Sequence, residues 1–263
     1  TAIGFTFMMP CVRLMLLMML GKIRFRRVIP FLLAGAMLWS CATQEDIVRE
    51  GEKYGVTKGV FRGRWWSYYE RGSSYLTGQF YSEAEADFRK ALDGRGRDTW
   101  QARTYGLHFV EYFPNRELGV ACYQQGRLDE AEQYLNASLS QIDTDRAHYY
   151  LDLVKKAQIA KGEVKCDQPP SIESSLKDGM LLAQREIPLE IHATDAVGVA
   201  GVTVNGQLLP QRGSATELAL RDEVLLTEGT HEIQLEASNL GDKAVTQTVT
   251  VEVDLTGPTV GIY

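Results

Sequence analysis

Residues 115–139 read NRELGVACYQQGRLDEAEQYLNASL, and their apolar residues recur at spacings of three and four. That spacing is typical of amphipathic helices. Gly126 interrupts it and predicts the turn that ends the first of two helices. Gly119 and Ala131 are small enough to let the two helices approach closely. The segment therefore predicts an antiparallel helical hairpin.

This hairpin resembles a tetratricopeptide repeat, and a second copy is predicted upstream in residues 68–92. The resemblance is carried by Leu118, Gly119, Gly126, Leu128, Ala131, Leu135 and Leu139, and upstream by Gly72, Tyr75, Gly78, Tyr81, Ala84, Phe88 and Ala91. Ala84 and Ala131 are 47 residues apart, whereas consecutive repeats are about 34 apart. We therefore expect an aromatic-rich insertion near 93–113 that packs on the repeats or lines their groove.

A closing helix is predicted over residues 145–162, with Asp145 as its N-cap. The helical domain then spans residues 59–163. Repeats of this type present a concave groove, so the resemblance implies binding of a protein or peptide. The predicted partner-binding residues are Trp65, Trp66, Tyr68, Tyr69, Arg71, Trp100 and Tyr105, because aromatic and arginine side chains dominate interface energetics. Packing between helices is the alternative for each aromatic side chain, and a solvated surface is the alternative for arginine.

The second half of the chain has a different pattern. After a linker at residues 164–170, apolar residues alternate with polar ones, and Asn205-Gly206 predicts a hairpin turn. About seven short strands are expected in residues 171–256, which indicates a β-sandwich. The fold class is therefore multidomain α plus β. Nineteen aromatic residues lie between Tyr54 and Tyr150 and none between residues 151 and 262, which also favours two domains of different construction.

The segment VTVNGQLLP and the ending DLTGPTV resemble the immunoglobulin-like modules of bacterial surface proteins, especially the glucodextranase domain-B type. Residues 257–263 would begin a further segment. The family's association with carbohydrate enzymes suggests sugar binding, but sugar sites use aromatic platforms, which this half lacks. We therefore expect a spacer or a protein contact and disfavour carbohydrate binding. Asp195, Asn239 and Asp242 could share a loop region, and turn formation explains them better than calcium does.

The N-terminal region has the features of a secretory signal peptide over residues 1–40. Basic residues precede an apolar run of 13 residues, too short for a helix that crosses a membrane. LWSC, residues 38–41, resembles the bacterial lipobox, which implies lipidation of Cys41, a tether over residues 41–58 and an outer-membrane location, facing the periplasm or the surface. An ordinary signal peptide or a single membrane anchor is the alternative. We interpret residues 1–17 as upstream read-through, with a longer signal region as the alternative.

The net charge and the motifs of the chain exclude some classes of function. After the first 40 residues, 23 basic residues face 34 acidic ones, and so acidic a chain repels nucleic acid. No catalytic motif occurs, and no cofactor or metal site is predicted. Cys122 and Cys166 are expected to be free thiols rather than a disulfide. The expected function is a non-enzymatic envelope adaptor; the alternatives are the recruiting region of a longer protease or glycan hydrolase, or a polysaccharide-binding surface protein.

Overall fold

The computed structural model describes residues 47–256. The predicted signal peptide, the candidate lipidation residue Cys41 and residues 257–263 lie outside the described residues. Within the described range a helical region is followed by a β-sandwich. No helix of residues 47–256 combines the length and the apolarity needed to cross a membrane.

Five helices form the core of the helical region in residues 47–256. They are α1 (Trp65–Thr77), α2 (Tyr81–Gly94), α3 (Pro114–Gln124), α4 (Leu128–Leu139) and α5 (Asp145–Ala160). Each helix packs against the next along the chain. The shared core contains the buried side chains of Tyr75, Phe88, Leu118, Leu135 and Val154.

The α1–α2 and α3–α4 hairpins repeat the same close contact 47 residues apart. A methyl group added to Gly72 would meet Phe88 at 3.0 Å, and one added to Gly119 would meet Leu135 at 2.7 Å. Both helix pairs therefore approach at a glycine. The turn of the first hairpin lies at Gln79, one residue after the predicted Gly78. Gln79 has a φ of 63° and lies 47 residues before Gly126, which has the same left-handed conformation.

The N-cap of α5 differs from the prediction by one residue. Thr144, not Asp145, caps the helix, because its side chain accepts a hydrogen bond from the Ala147 backbone. Asp145 is the first helical residue, where its negative charge is favourable at the positive end of the helix dipole. Gly162, with a φ of 74°, follows the end of the helix.

Two β-hairpins that the sequence pattern did not predict lie in the helical region. They are β1–β2 (Ile47–Arg49 and Glu52–Tyr54) and β3–β4 (Thr99–Arg103 and Phe109–Tyr112). The first corrects the expectation that residues 41–58 are only a tether, since Ile47 and Tyr54 pack on the helical core. The second lies within residues 93–113, where we expected an insertion, and it packs on the helices. Both hairpins are too short for an alternating pattern to stand out in the sequence.

The sandwich contains β5 (Ser171–Ser174), β6 (Met180–Leu182), β7 (Glu186–Val204), β8 (Gln207–Leu208), β9 (Ala215–Leu225), β10 (Gly229–Asn239) and β11 (Ala244–Val253). The hydrogen-bonded order is β5-β7-β10-β11-β6, with β8 and β9 also paired to β7. Strand β7 passes between two layers: its residues 186–194 pair with β5 and β9, and its last residues pair with β8 and β10. The alternating apolar residues of β7, β10 and β11 fill the space between the layers.

Two predicted details of the sandwich have clear outcomes. Asn205 and Gly206 both have positive φ, 50° and 79°, so the predicted hairpin turn is confirmed. Asp195 and Asn239 lie together, with the Asn239 amide donating to the Asp195 carboxylate at 2.9 Å. The other Asp195 oxygen accepts two backbone N–H groups of the same turn. Donors therefore surround the carboxylate, as turn formation requires.

The helical region meets the sandwich at α5. The Asp152 carboxylate accepts hydrogen bonds from the Ser214 backbone at 3.1 Å and from its hydroxyl at 2.5 Å. Lys155 donates to the Val197 carbonyl at 3.2 Å. Gly213 lies so close to His148 that a methyl group there would approach the His148 side chain at 2.7 Å. The joint is thus polar and closely packed.

Candidate binding cleft

A cleft lies between α1, the segment 55–62 and the β3–β4 hairpin, and we name it the hairpin cleft. It consists of two adjoining depressions of about 300 and 620 Å³, which share Lys58 and Glu70. The smaller is also lined by Gly59, Val60, Arg62, Trp66, Ser67 and Tyr105. The larger is also lined by Val56, Thr57, Tyr69, Ser73, Ser74, Phe109, Val110 and Glu111.

The segment 55–62 is fixed at both ends. The Gly55 and Val56 backbones donate to the Ser74 hydroxyl on α1 at 3.1 and 3.4 Å. At the other end the Phe61 ring packs edge-on against Tyr68, with ring centroids 5.1 Å apart, and the Arg71 guanidinium lies 4.2 Å from the Phe61 centroid. The residues between these anchors form one wall of the cleft.

The β3–β4 hairpin forms the opposite wall, and Tyr112 attaches it to the helices. The Tyr112 hydroxyl lies 2.7 Å from the carbonyl oxygens of both Ala91 and Arg95, at the end of α2. Burial raises the pKa of Tyr112, which keeps the hydroxyl a donor. The Trp65 ring packs on Tyr112 with centroids 4.6 Å apart, and Gly94 makes room for Trp65. The wall is therefore firmly supported.

A second attachment joins the hairpin region to α3. One Asp98 carboxylate oxygen accepts hydrogen bonds from the Asn115 backbone at 3.1 Å and from its side-chain amide at 2.9 Å. Helix α3 receives no cap from its own preceding residue, Phe113. Asp98 is 1% exposed, and it serves as a remote cap for the α3 N-terminus.

Four of the predicted partner-binding residues have intramolecular contacts that explain their positions. Trp65 packs on Tyr112, and Tyr68 packs on Phe61. The Tyr69 hydroxyl accepts a hydrogen bond from the Phe113 backbone at 3.3 Å, and burial together with the Glu117 charge raises the pKa of Tyr69 to about 12.

Arg71 is the fourth of these residues. Its Nε and a terminal guanidinium nitrogen donate to the two Asp87 oxygens at 2.6 and 2.7 Å. The hydrogen bond to Asp87 raises the pKa of Arg71. This ion pair already explains why a charged residue occurs at position 71. Direct contact of Arg71 with a partner protein stays a prediction.

The remaining three predicted partner-binding residues lie in two different places. Trp66 and Tyr105 form a tilted aromatic pair that lines the smaller depression of the hairpin cleft, with ring centroids 6.5 Å apart. Tyr105 is 62% exposed. Trp100 is also exposed, but it packs edge-on against Phe113 and does not line the cleft.

The sequence pattern did not indicate the other cleft residues, chiefly Val56, Lys58, Val60 and Phe109. Val56 and Lys58 belong to the predicted tether, and Val60 follows it closely. Phe109 belongs to the β3–β4 hairpin, which was not predicted. Val60 is 79% exposed and Phe109 52%. The signal that could have found them is the run YGVTKGVF, residues 54–61, where glycines separate apolar residues that a solvated tether does not need.

Strand β4 gives the cleft an open edge. The β3–β4 sheet has two strands, and no third strand pairs with β4 within residues 47–256. Phe109, Val110 and Glu111 of this strand line the larger depression. An unpaired strand edge presents backbone N–H and C=O groups that another extended chain can bind.

A cluster of Glu85, Cys122 and Glu130 also has potential ligand atoms within 4.8 Å of one another. Arginines occupy it: Arg89 donates to both glutamates, and Arg127 pairs with both. Burial opposes ionisation of Glu85, but hydrogen bonds from Gln125 and the arginines outweigh burial and lower its pKa. The cluster is an ion network that joins the two helical hairpins.

No protein-family model and no curated protein sequence matches this chain. Among solved structures, the fibronectin(III)-like modules of Clostridium thermocellum CbhA are 21% identical with a TM-score of 0.27; the match covers 38% of this chain and 55% of theirs. The FMN-binding beta-glucuronidase from Facaelibacterium prausnitzii L2-6 is 9% identical with a TM-score of 0.23, covering 67% and 45%. The chain thus spans about half the length of each.

Proposed function

We propose that this protein is a non-enzymatic adaptor that binds an extended peptide segment of another protein in the hairpin cleft. The observation that carries the proposal is the open edge of β4 beside the aromatic side chains of Trp66, Tyr69 and Tyr105, which line the cleft. Extended peptides bind such edges through main-chain hydrogen bonds, and neighbouring depressions receive alternate side chains. Trp66 and Tyr105 would hold one such side chain, and Phe109 would flank another.

We further propose that the helical hairpins are of tetratricopeptide type. The repeated glycine contact at Gly72 and Gly119 and the 47-residue offset support this assignment. Relative to the usual repeat of about 34 residues, the additional residues hold the β3–β4 hairpin. In this interpretation the insertion converts one end of a helical groove into the hairpin cleft.

The sandwich is proposed to be an immunoglobulin-like spacer. Its two layers, with β7 passing from one to the other, are in keeping with that type of module. Residues 151–256 contain no Phe, Trp or Tyr, so the aromatic platforms common in sugar sites are absent from this part. The Asp152–Ser214 contact at the joint suits a module that holds the helical region at a fixed angle.

Lipidation of Cys41 and an outer-membrane location complete the proposal, and the lipobox-like segment 38–41 supports them. The intact mass of the protein from detergent-solubilised membranes tests this part. Cys41→Ser should remove the acyl mass and release the protein from the membrane, whereas Cys166→Ser should do neither. An unlipidated wild-type chain would contradict the anchor while leaving the peptide site open to its own test.

The peptide site is tested by selecting ligands for the full chain from a displayed library of random peptides. Tyr105→Ala should weaken a selected peptide by about tenfold or more, as loss of an aromatic anchor does. The matched control is Tyr149→Ala, an exposed tyrosine on α5 that does not line the cleft. Methylation of alternate peptide amides should also abolish binding. Selected peptides that bind equally to Tyr105→Ala would refute the site.

A further inference from the structure

Strand β9 is an unusually long open edge of the sandwich. The other edge strands of its sheet are short: β5 has four residues, β6 three and β8 two, whereas β9 has eleven. Over the part of the chain that the structure describes, β9 pairs with β7 alone. Its register with β7 is continuous over residues 217–225, without a bulge. It contains neither proline nor lysine, two residues that commonly protect edges.

The two faces of β9 differ in character. Leu218, Leu220 and Val224 point toward the core but are only partly buried, because no strand covers them from the outer side. Glu217 and Arg221 are exposed on the opposite face, with Ala219 between them. An additional strand at this edge would bury the leucines further, and it would also cover Asp222, which is half-buried on the same face opposite Leu189 of β7.

We propose that a second copy of this chain pairs with β9 in antiparallel orientation, on a two-fold axis at Ala219. In this register Glu217 of each copy lies opposite Arg221 of the other, so symmetry produces two opposite-charge pairs. Leu218 lies opposite Leu220 on the core face, also twice. Opposite-charge and apolar cross-strand pairs are both stabilising. The two sandwiches then form one continuous outer sheet.

The charge pattern selects this register over its neighbours. Directly opposite residues share a face of the sheet, so a two-fold axis normal to the sheet must pass through a residue. An axis at Leu220 would place Glu217 against Glu223, and an axis at Arg221 would place two arginines together. An axis at Leu218 forms no charge pair.

An axis at Asp222 is the remaining alternative. It would pair Arg221 with Glu223 but would also bring the two Asp222 carboxylates together, which is destabilising. Arg221 already contacts Glu190 on β7 at 3.1 Å, and both side chains are largely exposed. In the proposed dimer Arg221 therefore lies between a glutamate of its own chain and one of the second copy.

The association constant of the full-length protein in detergent, measured by sedimentation, tests the proposal. Arg221→Glu and Glu217→Arg should each weaken dimerisation by about tenfold or more, because each creates two like-charge pairs. The double variant should regain most of the affinity, since the charges are exchanged and complementary again. Arg185→Glu, an exposed change of equal charge outside β9, should leave dimerisation unaltered.

A cross-link tests the register itself. Ala219→Cys should form a disulfide between two copies, mapped as residue 219 to residue 219, because opposite Cα atoms of antiparallel strands are about 4.5–5.5 Å apart, within the range that a disulfide spans. Glu223→Cys should not link to itself, since it faces Ala215. A monomer at every soluble concentration overturns the proposal, and so does a dimer that tolerates both single charge reversals. Circular dichroism confirms that each variant is folded.

Discussion

Arg71 and Asp87 form a two-pronged ion pair inside the first helical hairpin, with nitrogen–oxygen distances of 2.6 and 2.7 Å. Asp87 is 3% exposed and the Arg71 side chain 12%. Residue 118, the counterpart of Arg71 in the second hairpin, is a fully buried leucine. The counterpart of Asp87 is Tyr134, so the second hairpin has a leucine and a tyrosine where the first has a charge pair. Arg71 also supports Phe61, and through it one wall of the hairpin cleft.

Removing one partner of this pair should be strongly destabilising. Asp87→Ala removes the carboxylate that accepts two hydrogen bonds from the Arg71 guanidinium, and breaking a buried ion pair in this way costs about 3–5 kcal/mol. Urea unfolding followed by circular dichroism measures the loss. The exposed Asp93→Ala on the same helix is the control and should change the free energy of unfolding by about 0.5 kcal/mol or less. An Asp87→Ala variant as stable as the wild type would refute the structural role of the pair.

The remote cap at Asp98 leads to a second prediction. Asp98→Ala leaves the Asn115 backbone N–H and side-chain amide without their acceptor and removes a negative charge from the α3 N-terminus. We expect a loss of about 2 kcal/mol in the free energy of unfolding. Hydrogen exchange should rise first at Asn115 and in the β3–β4 hairpin. Uniformly raised exchange across α3 and α5 would argue against a local cap.

Burial also governs cysteine reactivity. It raises the pKa of Cys122 to about 11 and raises the pKa of Cys166, so little thiolate is present at neutral pH. Both are free thiols in the structure. Both should react slowly with an alkylating reagent in the native protein and rapidly in urea without reductant, as mass spectrometry of the peptides can measure. Failure to react in urea without reductant would indicate a disulfide.

The Asp195 turn predicts a dependence of stability on pH. Burial opposes ionisation, but hydrogen bonds from the Gly198 and Val197 backbones and the Asn239 side chain outweigh it and lower the pKa of the carboxyl group. A group whose pKa is depressed in the folded state adds stability above its unfolded pKa of about 3.9 and loses that stability as the pH falls through the folded value. Asp195→Asn should therefore be less stable than the wild type at pH 7.

The same reasoning sets the test of this prediction. The difference in the free energy of unfolding between wild type and Asp195→Asn should shrink as the pH falls from about 7 to about 3. Asp178→Asn is a useful comparison, because Asp178 is an exposed aspartate that also accepts a backbone N–H, from Thr250. A difference for Asp195→Asn that is constant across this pH range would contradict the mechanism.

The sequence predicted the helical hairpins because their signals are local. Gly119, Ala131 and Gly126 specify a close contact and a turn within 13 residues, and the same contact recurs at Gly72 and Ala84. The alternation in β7 and β10 is equally local and long enough to recognise. The helical region followed by a sandwich could therefore be anticipated from residue pattern alone.

The hairpin cleft could not be anticipated in the same way. It depends on Tyr112 reaching the end of α2 and on Ser74 binding the Gly55 backbone, contacts between segments 19 or more residues apart. Trp66 and Tyr105 were predicted as interface residues, but nothing in their spacing places them together. Arg71 shows the converse, since a charge that suggests a partner in the sequence has an intramolecular partner in the fold.

The final prediction concerns the joint between helices and sandwich. The Asp152 carboxylate accepts hydrogen bonds from the Ser214 backbone and hydroxyl. This contact joins the two regions that the linker at residues 164–170 connects, and Lys165 of the linker is exposed. Asp152→Ala removes three acceptor contacts, so we expect faster trypsin cleavage at Lys165 with both products still folded. Asp129→Ala, an exposed aspartate on α4, should leave the cleavage rate unchanged. If Asp152→Ala is cut no faster than the wild type, the prediction is wrong, and the other contacts of the joint, such as Gly213 on His148 and Lys155 with Val197, hold it without Asp152.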